Sequence, residues 1–161
     1  MKALGEAAEW GALWAVLGTA AAAADPPRRR RWGVAALVGP AAIGANYVVK
    51  LAVRRERPVL RGHPPLSRAP SKLSFPSAHA TSSLAAATAM TRIEPRAAVP
   101  LYALAAAICV GRPYLGMHYP SDVLAGVALG LAIGALIPGI SDRDLEDRLI
   151  DLVNSSHETA A

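Results

Sequence analysis

WGVAALVGPAAIGANYVVKLAV, residues 32–53, carries a single charge, Lys50, in 22 residues. A helix needs ~20 residues at ~1.5 Å each to cross the hydrocarbon of a bilayer, so this run is long enough to span one. Four further apolar runs surround it, over about residues 7–24, 77–91, 97–110 and 120–137. Mean hydropathy is +0.29 although 18% of residues are charged, because the charges collect between the runs. This is the layout of a multi-span membrane protein. The expected fold is all-α: an integral-membrane helical bundle of about five transmembrane helices over residues 1–140. The runs at 77–91 and 97–110 are short, so their polar ends, 77–83 and 111–114, are expected to add turns at the interface.

The first run, with Trp10 and Trp14 at its start, has the length of a signal peptide. Glu6 and Glu9 stand where a basic region belongs, and Arg28 to Arg31 follow it, so a retained span is expected. In the fifth run Gly126, Gly130 and Gly134 put small residues on one face, for close packing inside the bundle or for a homo-oligomer seam. Beyond Pro138-Gly139 the chain is polar. Ser141-Asp142-Arg143-Asp144 reads as a helix start, and Leu145, Leu149, Leu152 and Val153 recur at helical spacing. Residues 141–161 are therefore expected to form a short C-terminal amphipathic helix, at the interface or against a second subunit, and a tail.

A net charge of +5 with 14 Arg and three Lys invites a nucleic-acid reading. The basic residues flank apolar runs and form no soluble basic face, so no nucleic acid is expected; membrane lipids and phosphorylated lipids are the fitting partners. Cys109, the lone cysteine, lies in an apolar run: a packing residue rather than a reactive thiol. Residues 54–76 hold Pro58, Pro64, Pro65, Pro70, Gly62 and six basic residues, a surface loop.

Alternation of five crossings puts the 54–76 and 111–119 loops on one side with the N-terminus. Arg28 to Arg31, Arg92, Arg96, Arg143 and Arg148 fall on the other, which the positive-inside rule makes cytoplasmic. The expected location is the inner (plasma) membrane, with the polar motifs on its outer face.

Three motifs then converge at one depth: Lys50 with Arg57-Pro58, Pro76-Ser77-Ala78-His79, and Arg112 with His118 and Asp122. Phosphoryl transfer needs positive charge around the equatorial oxygens, an in-line nucleophile and a proton for the leaving oxygen. Lys50, Arg57 and Arg112 supply charge. Ser77, with the amides of Ala78 and His79, offers an anion site at a helix start. His118 suits the nucleophile, with Asp122 taking one ring N–H, and His79 the acid. Singly each has a plainer reading: Lys50 snorkelling, Arg57 on headgroups, either histidine as an interfacial polar group, Asp122 as a helix cap. Tyr114 and Tyr119 either line the mouth or anchor the interface; His63 and His157 fit no step. No cofactor and no metal are expected, since no carboxylate-rich ligand set is present.

These motifs, Lys50-x6-Arg57-Pro58, Pro76-Ser77-Ala78-His79 and Arg112-x5-His118-x3-Asp122, resemble the signatures of the type 2 phosphatidic acid phosphatase superfamily. The resemblance implies a metal-independent phosphatase. In it His118 becomes a phosphohistidine, Asp122 supports it and His79 is the acid, while Lys50, Arg57, Ser77 and Arg112 hold the phosphate. Two positions depart from the pattern: Ala78 stands where Gly is usual, and Gly111 where Ser is frequent. Ala78 is tolerable if its backbone is already helical.

The compact Arg/Ala-rich plan is similar to the subgroup that removes the 5-phosphate from polyprenyl-linked ribose in cell-wall arabinan synthesis. Undecaprenyl diphosphate, phosphatidylglycerol phosphate and phosphatidate remain alternatives. So do lipid-to-lipid phosphotransfer and non-catalytic lipid binding or flipping.

Overall fold

The computed structural model describes residues 2–58 and 71–137. The expected C-terminal amphipathic helix, His63 and His157 lie outside them. Six α-helices follow in order: α1 Lys2–Ala7, α2 Ala12–Ala24, α3 Arg29–Val53, α4 Ala78–Ile93, α5 Ala98–Tyr114 and α6 Pro120–Leu136. No strand occurs among the described residues; one isolated antiparallel bridge, Glu56 to Leu73, joins the two ends of the α3–α4 loop. The all-α expectation holds to that extent.

Helix α4 is the axis of the bundle. Residues 80–87, 89 and 90 are buried, and α3, α5 and α6 pack around it, with α2 against α3. Small residues allow this. A Cβ on Gly126 would sit 2.6 Å from the Ser77 carbonyl, and one on Gly134 2.6 Å from that of Ala85, so α6 lies against the α4 backbone itself. The glycine stripe is used within the chain. Polar bonds cross the same core: Trp14 donates to Ser83 Oγ at 3.0 Å and Asn46 Nδ2 to Thr81 Oγ1 at 2.9 Å.

The outside is the apolar side. Val16, Leu37, Val48, Leu51, Val99, Val110, Leu124 and Leu136 are exposed, whereas Thr81, Ser82 and Ser83 are buried. Polar groups inside and large apolar groups outside suit a hydrocarbon surround. Two stretches, Pro26–Val53 and Pro95–Tyr114, are long and apolar enough to cross a membrane; the apolar α6 has 17 residues.

The expected single first span is broken. A 3₁₀ turn, Glu9–Gly11, separates α1 from α2, with Trp10 at φ 56° and Gly11 at φ 76°. A left-handed L-residue costs about 1–2 kcal/mol, which an alternation of Ala and Trp in sequence does not announce. The expected extra turns at 111–114 are present, since α5 runs to Tyr114.

Chain alternation brings the C-terminal ends of α3 and α5, the N-terminal ends of α4 and α6, and α1 to one end of the bundle. At the other end Arg28 ties α3 to α4. It meets Asp25 at 2.5 Å, Glu94 at 3.3 Å and the Ile93 carbonyl at 2.8 Å.

Candidate active site

All three motifs line one cleft at that first end, together with α1. Its free space, including solvent at the mouth, is about 660 Å³. Lys50, Arg57, Ala78, His79, Arg112 and His118 contribute to its wall, as expected.

Each cation is placed differently. Lys50, 2% exposed, donates to the carbonyls of Pro76 at 3.0 Å, Leu73 at 3.3 Å and Ser74 at 3.4 Å. It thereby shapes the turn into α4 as well as charging the cleft. Arg57 donates through Nε to Ser71 O at 2.9 Å and through Nη1 to Met117 O at 2.7 Å. Burial pulls its guanidinium below the usual arginine range. Arg112 is 2% exposed, and its buried Nε has no hydrogen-bond partner among the described residues. A buried guanidinium nitrogen with no acceptor favours an anion beside it.

Ser77 lies behind the cleft wall rather than in it. It is fully buried, and its hydroxyl caps α4 by accepting the Ala80 N–H at 3.5 Å. Ala78 and His79 line the cleft, and the amides of a first helical turn have no intrahelical acceptor. Ser77 therefore sets the turn, while the positions that face the cleft are those after it. Ala78 opens α4 as its first helical residue, so its methyl costs no unusual backbone angle.

The His118–Asp122 pairing is also indirect where a direct bond was expected. Nδ1 stands 3.7 Å from Asp122 Oδ2 and 3.3 Å from Ser74 Oγ, which itself donates to Oδ2. The Tyr119 N–H occupies the same oxygen at 2.8 Å, so Asp122 caps α6 as well. These bonds assign the tautomer. Nδ1–H donates to Ser74, leaving Nε2 with a lone pair that accepts from Arg57 Nη1 at 3.2 Å. Burial first, then Arg57 and Lys50, hold the imidazole far below its ordinary pKa. It is a neutral base facing cations.

Three participants were missed in the sequence. Ser74 lies in the approach to α4. Arg55 holds Asp122 Oδ1 at 3.0 Å and Ser121 Oγ at 2.8 Å, and its guanidinium stacks 4.1 Å over the Tyr119 ring. Tyr119 is thus an Arg55 platform, and Tyr114 is 71% exposed; the tyrosine that lines the cleft is Tyr47. Both Ser74 and Arg55 sit two residues from a motif member, and the 2.7 Å bond from Ser74 N to Arg55 O joins them. Spacing of two on an extended segment was the available signal.

His79 faces α1: its Nε2 donates to the Gly5 carbonyl at 3.2 Å. Among the described residues no group of three His, Cys, Asp or Glu is placed to hold a metal ion. Cys109 is buried and free in the core.

Known proteins are similar to the chain over most of its length. Decaprenylphosphoryl-5-phosphoribose phosphatase of Mycobacterium tuberculosis is 43% identical over 131 residues, 79% of this chain and 71% of that protein. Its namesake in Mycolicibacterium smegmatis is 41% identical over 128 residues, 78% and 68% of the two chains. Undecaprenyl-diphosphatase BcrC of Bacillus subtilis is 32% identical over 126 residues, 77% of this chain and 64% of that one. No solved structure matches the chain significantly. The PAP2 superfamily profile matches residues 32–145, which contain every cation and histidine of the cleft, and the chain belongs to that superfamily.

Proposed function

We propose that the chain is a membrane phosphatase that removes the 5-phosphate from a polyprenyl-linked ribose by way of a phosphohistidine. The observation that carries it is the unprotonated Nε2 of His118, directed at Arg57 in a cleft shared with Lys50, Arg112 and His79. In the first step Nε2 attacks phosphorus as the phosphorus–oxygen bond to the alcohol breaks. The departing oxygen takes the His79 proton, and Ser74 and Asp122 support the charged His118 ring. In the second, water attacks phosphorus and gives its proton to His79, while the phosphorus–nitrogen bond breaks and its electron pair returns to Nε2. Lys50, Arg57, Arg112 and the amides after Ser77 balance the phosphoryl charge in both steps.

The alcohol is assigned from the two mycobacterial relatives, whose names specify decaprenylphosphoryl-5-phosphoribose. Five crossings over residues 1–140 with the cleft on the outer face of the plasma membrane complete the reading. The apolar exterior and the clustering of Arg28 to Arg31 and Arg92 at the opposite end support it.

The test is phosphate release by the purified full chain in detergent, with EDTA present and His118→Ala as control. Decaprenylphosphoryl-5-phosphoribose should be preferred over undecaprenyl diphosphate and phosphatidate, with no loss to EDTA. Transfer of the phosphate to a second lipid in place of release would make the chain a phosphotransferase.

A further inference from the structure

In the reaction proposed above, the acid marks the side from which the alcohol leaves. His79 Nε2–H is directed at the Gly5 carbonyl, so the departing oxygen must take that carbonyl's place, against the first eleven residues. That wall is chemically unlike the rest of the cleft. It presents Glu6, Glu9 and Trp10, while the α3–α6 side presents cations. Neither carboxylate forms a hydrogen bond or salt bridge among the described residues, and the Arg112 guanidinium, within electrostatic reach of Glu9, lies against Gly5. Trp10 is held left-handed and 60% exposed at the mouth, a conformation that a mere packing residue would not require.

We infer that Glu6, Glu9 and Trp10 form a leaving-group subsite for an alcohol whose departing oxygen is borne on carbon beside vicinal hydroxyls, that is, a sugar, with its prenyl phosphodiester on the far side of the ring. Carboxylates accept two hydroxyl protons where a diol offers them, and an indole face covers the apolar C–H face of a sugar ring. The same carboxylates repel most strongly a leaving group whose departing oxygen is itself a phosphate oxygen, as in a diphosphate lipid, and less a sugar whose phosphodiester lies across the ring. Arg112, between the wall and the floor, is placed to pair with the transferred phosphate. Discrimination between a sugar phosphate and a diphosphate is thus built by residues outside the three motifs. The inference rests on the phosphohistidine reading and on the ribose substrate.

Steady-state kinetics of the full chain in detergent test it, with three probes: decaprenylphosphoryl-5-phosphoribose, its 2-deoxyribose analogue, and undecaprenyl diphosphate. Glu6→Gln and Glu9→Gln should each raise KM for the ribose lipid about tenfold, what one hydrogen bond to a charged group supplies. Their kcat should stay within about threefold, the mark of lost ground-state binding. Preference for ribose over deoxyribose should shrink, and kcat/KM for the diphosphate should rise. Trp10→Asn, which tolerates the left-handed backbone but lacks the ring, should raise KM for both sugar lipids and leave their ratio intact. Equal changes on all three probes, or none, overturn the subsite while leaving the phosphatase reading in place. Wild-type turnover of the diphosphate but not of the ribose lipid overturns the substrate and the subsite together.

Discussion

The two ends of the bundle hold arginines in opposite states. At one end Arg28 is answered by Asp25, Glu94 and a helix-end carbonyl, and Arg92 reaches the carbonyls of Gly134 and Ile137 at 3.2 and 2.7 Å. At the other, Lys50, Arg57 and Arg112 crowd a cleft in which none of them forms a salt bridge among the described residues, and Asp122 behind it is taken up by Arg55, Ser74 and the start of α6. The first arrangement stabilises helix ends; the second leaves positive charge in reserve for a ligand. A surplus of buried like charge is costly in the free protein and is offset only when an anion arrives. The difference locates function more sharply than any single residue does.

Removing the nucleophile should break the comparison most completely. His118→Ala is expected to lower kcat by on the order of 10⁴-fold or more, as nucleophile removals do. Arg28→Met, at the satisfied end, should leave kcat within about twofold and cost about 1 kcal/mol of stability through its lost hydrogen bonds. Phosphate release and thermal melts of both variants check the pair. Equal activity losses would mean that both ends serve the fold alone.

The arginines themselves sharpen it. Arg112→Met should reduce kcat/KM by about 10²–10³-fold, the usual cost of deleting one preorganised transition-state donor. Its melting temperature should hold or rise, because a dry, partly unpaired guanidinium is replaced by an apolar chain of similar length. Arg28→Met should do the reverse, losing stability and keeping rate. A destabilised Arg112→Met would show that the cleft cations are structural after all.

A smaller effect is expected behind the nucleophile. Ser74→Ala removes the relay between Nδ1 and Asp122, yet the 3.7 Å gap can close to a direct bond. A loss of about tenfold in kcat with KM unchanged is expected, the lower end of what a positioned proton partner contributes. A fall as deep as that of His118→Ala would mean that the gap cannot close.

What the sequence made legible follows from which forces are local. Apolar runs and the crossing number put residues 50, 57, 79, 112 and 118 at one end before any contact was known, because a spanning helix leaves few choices of side. The glycine stripe of α6 was legible for the same reason, its period matching one helix face. The Ser74 relay and the Arg55 clamp were not, since hydrogen bonds between the 54–58 and 71–76 segments depend on a chain reversal that no periodicity records. The capping bond of Ser77 was not legible either, because an N-cap hydroxyl and an anion ligand look identical in a string of letters. The break at Trp10 was hidden by an apolar run that reads as one helix, and with it went the wall of the cleft.

The least effect, and the most direct reading of the reserve of charge, is a pH dependence of stability. His118 is kept neutral in the fold by burial and by Arg57 and Lys50, whereas in the unfolded chain it takes up a proton near its ordinary value of about 6.5. Below that pH the unfolded state binds the extra proton and the native state does not, so stability falls as pH falls. Melting temperature should therefore drop between about pH 7 and pH 5, and His118→Gln, which has nothing to titrate, should drop less. Saturating inorganic phosphate should flatten the wild-type slope, because an anion in the cleft offsets the cations and lets the ring accept its proton in the fold. An identical slope for wild type and variant would place His118 outside the influence of burial, Arg57 and Lys50, and the cleft end of the bundle would lose its claim to be a phosphate site.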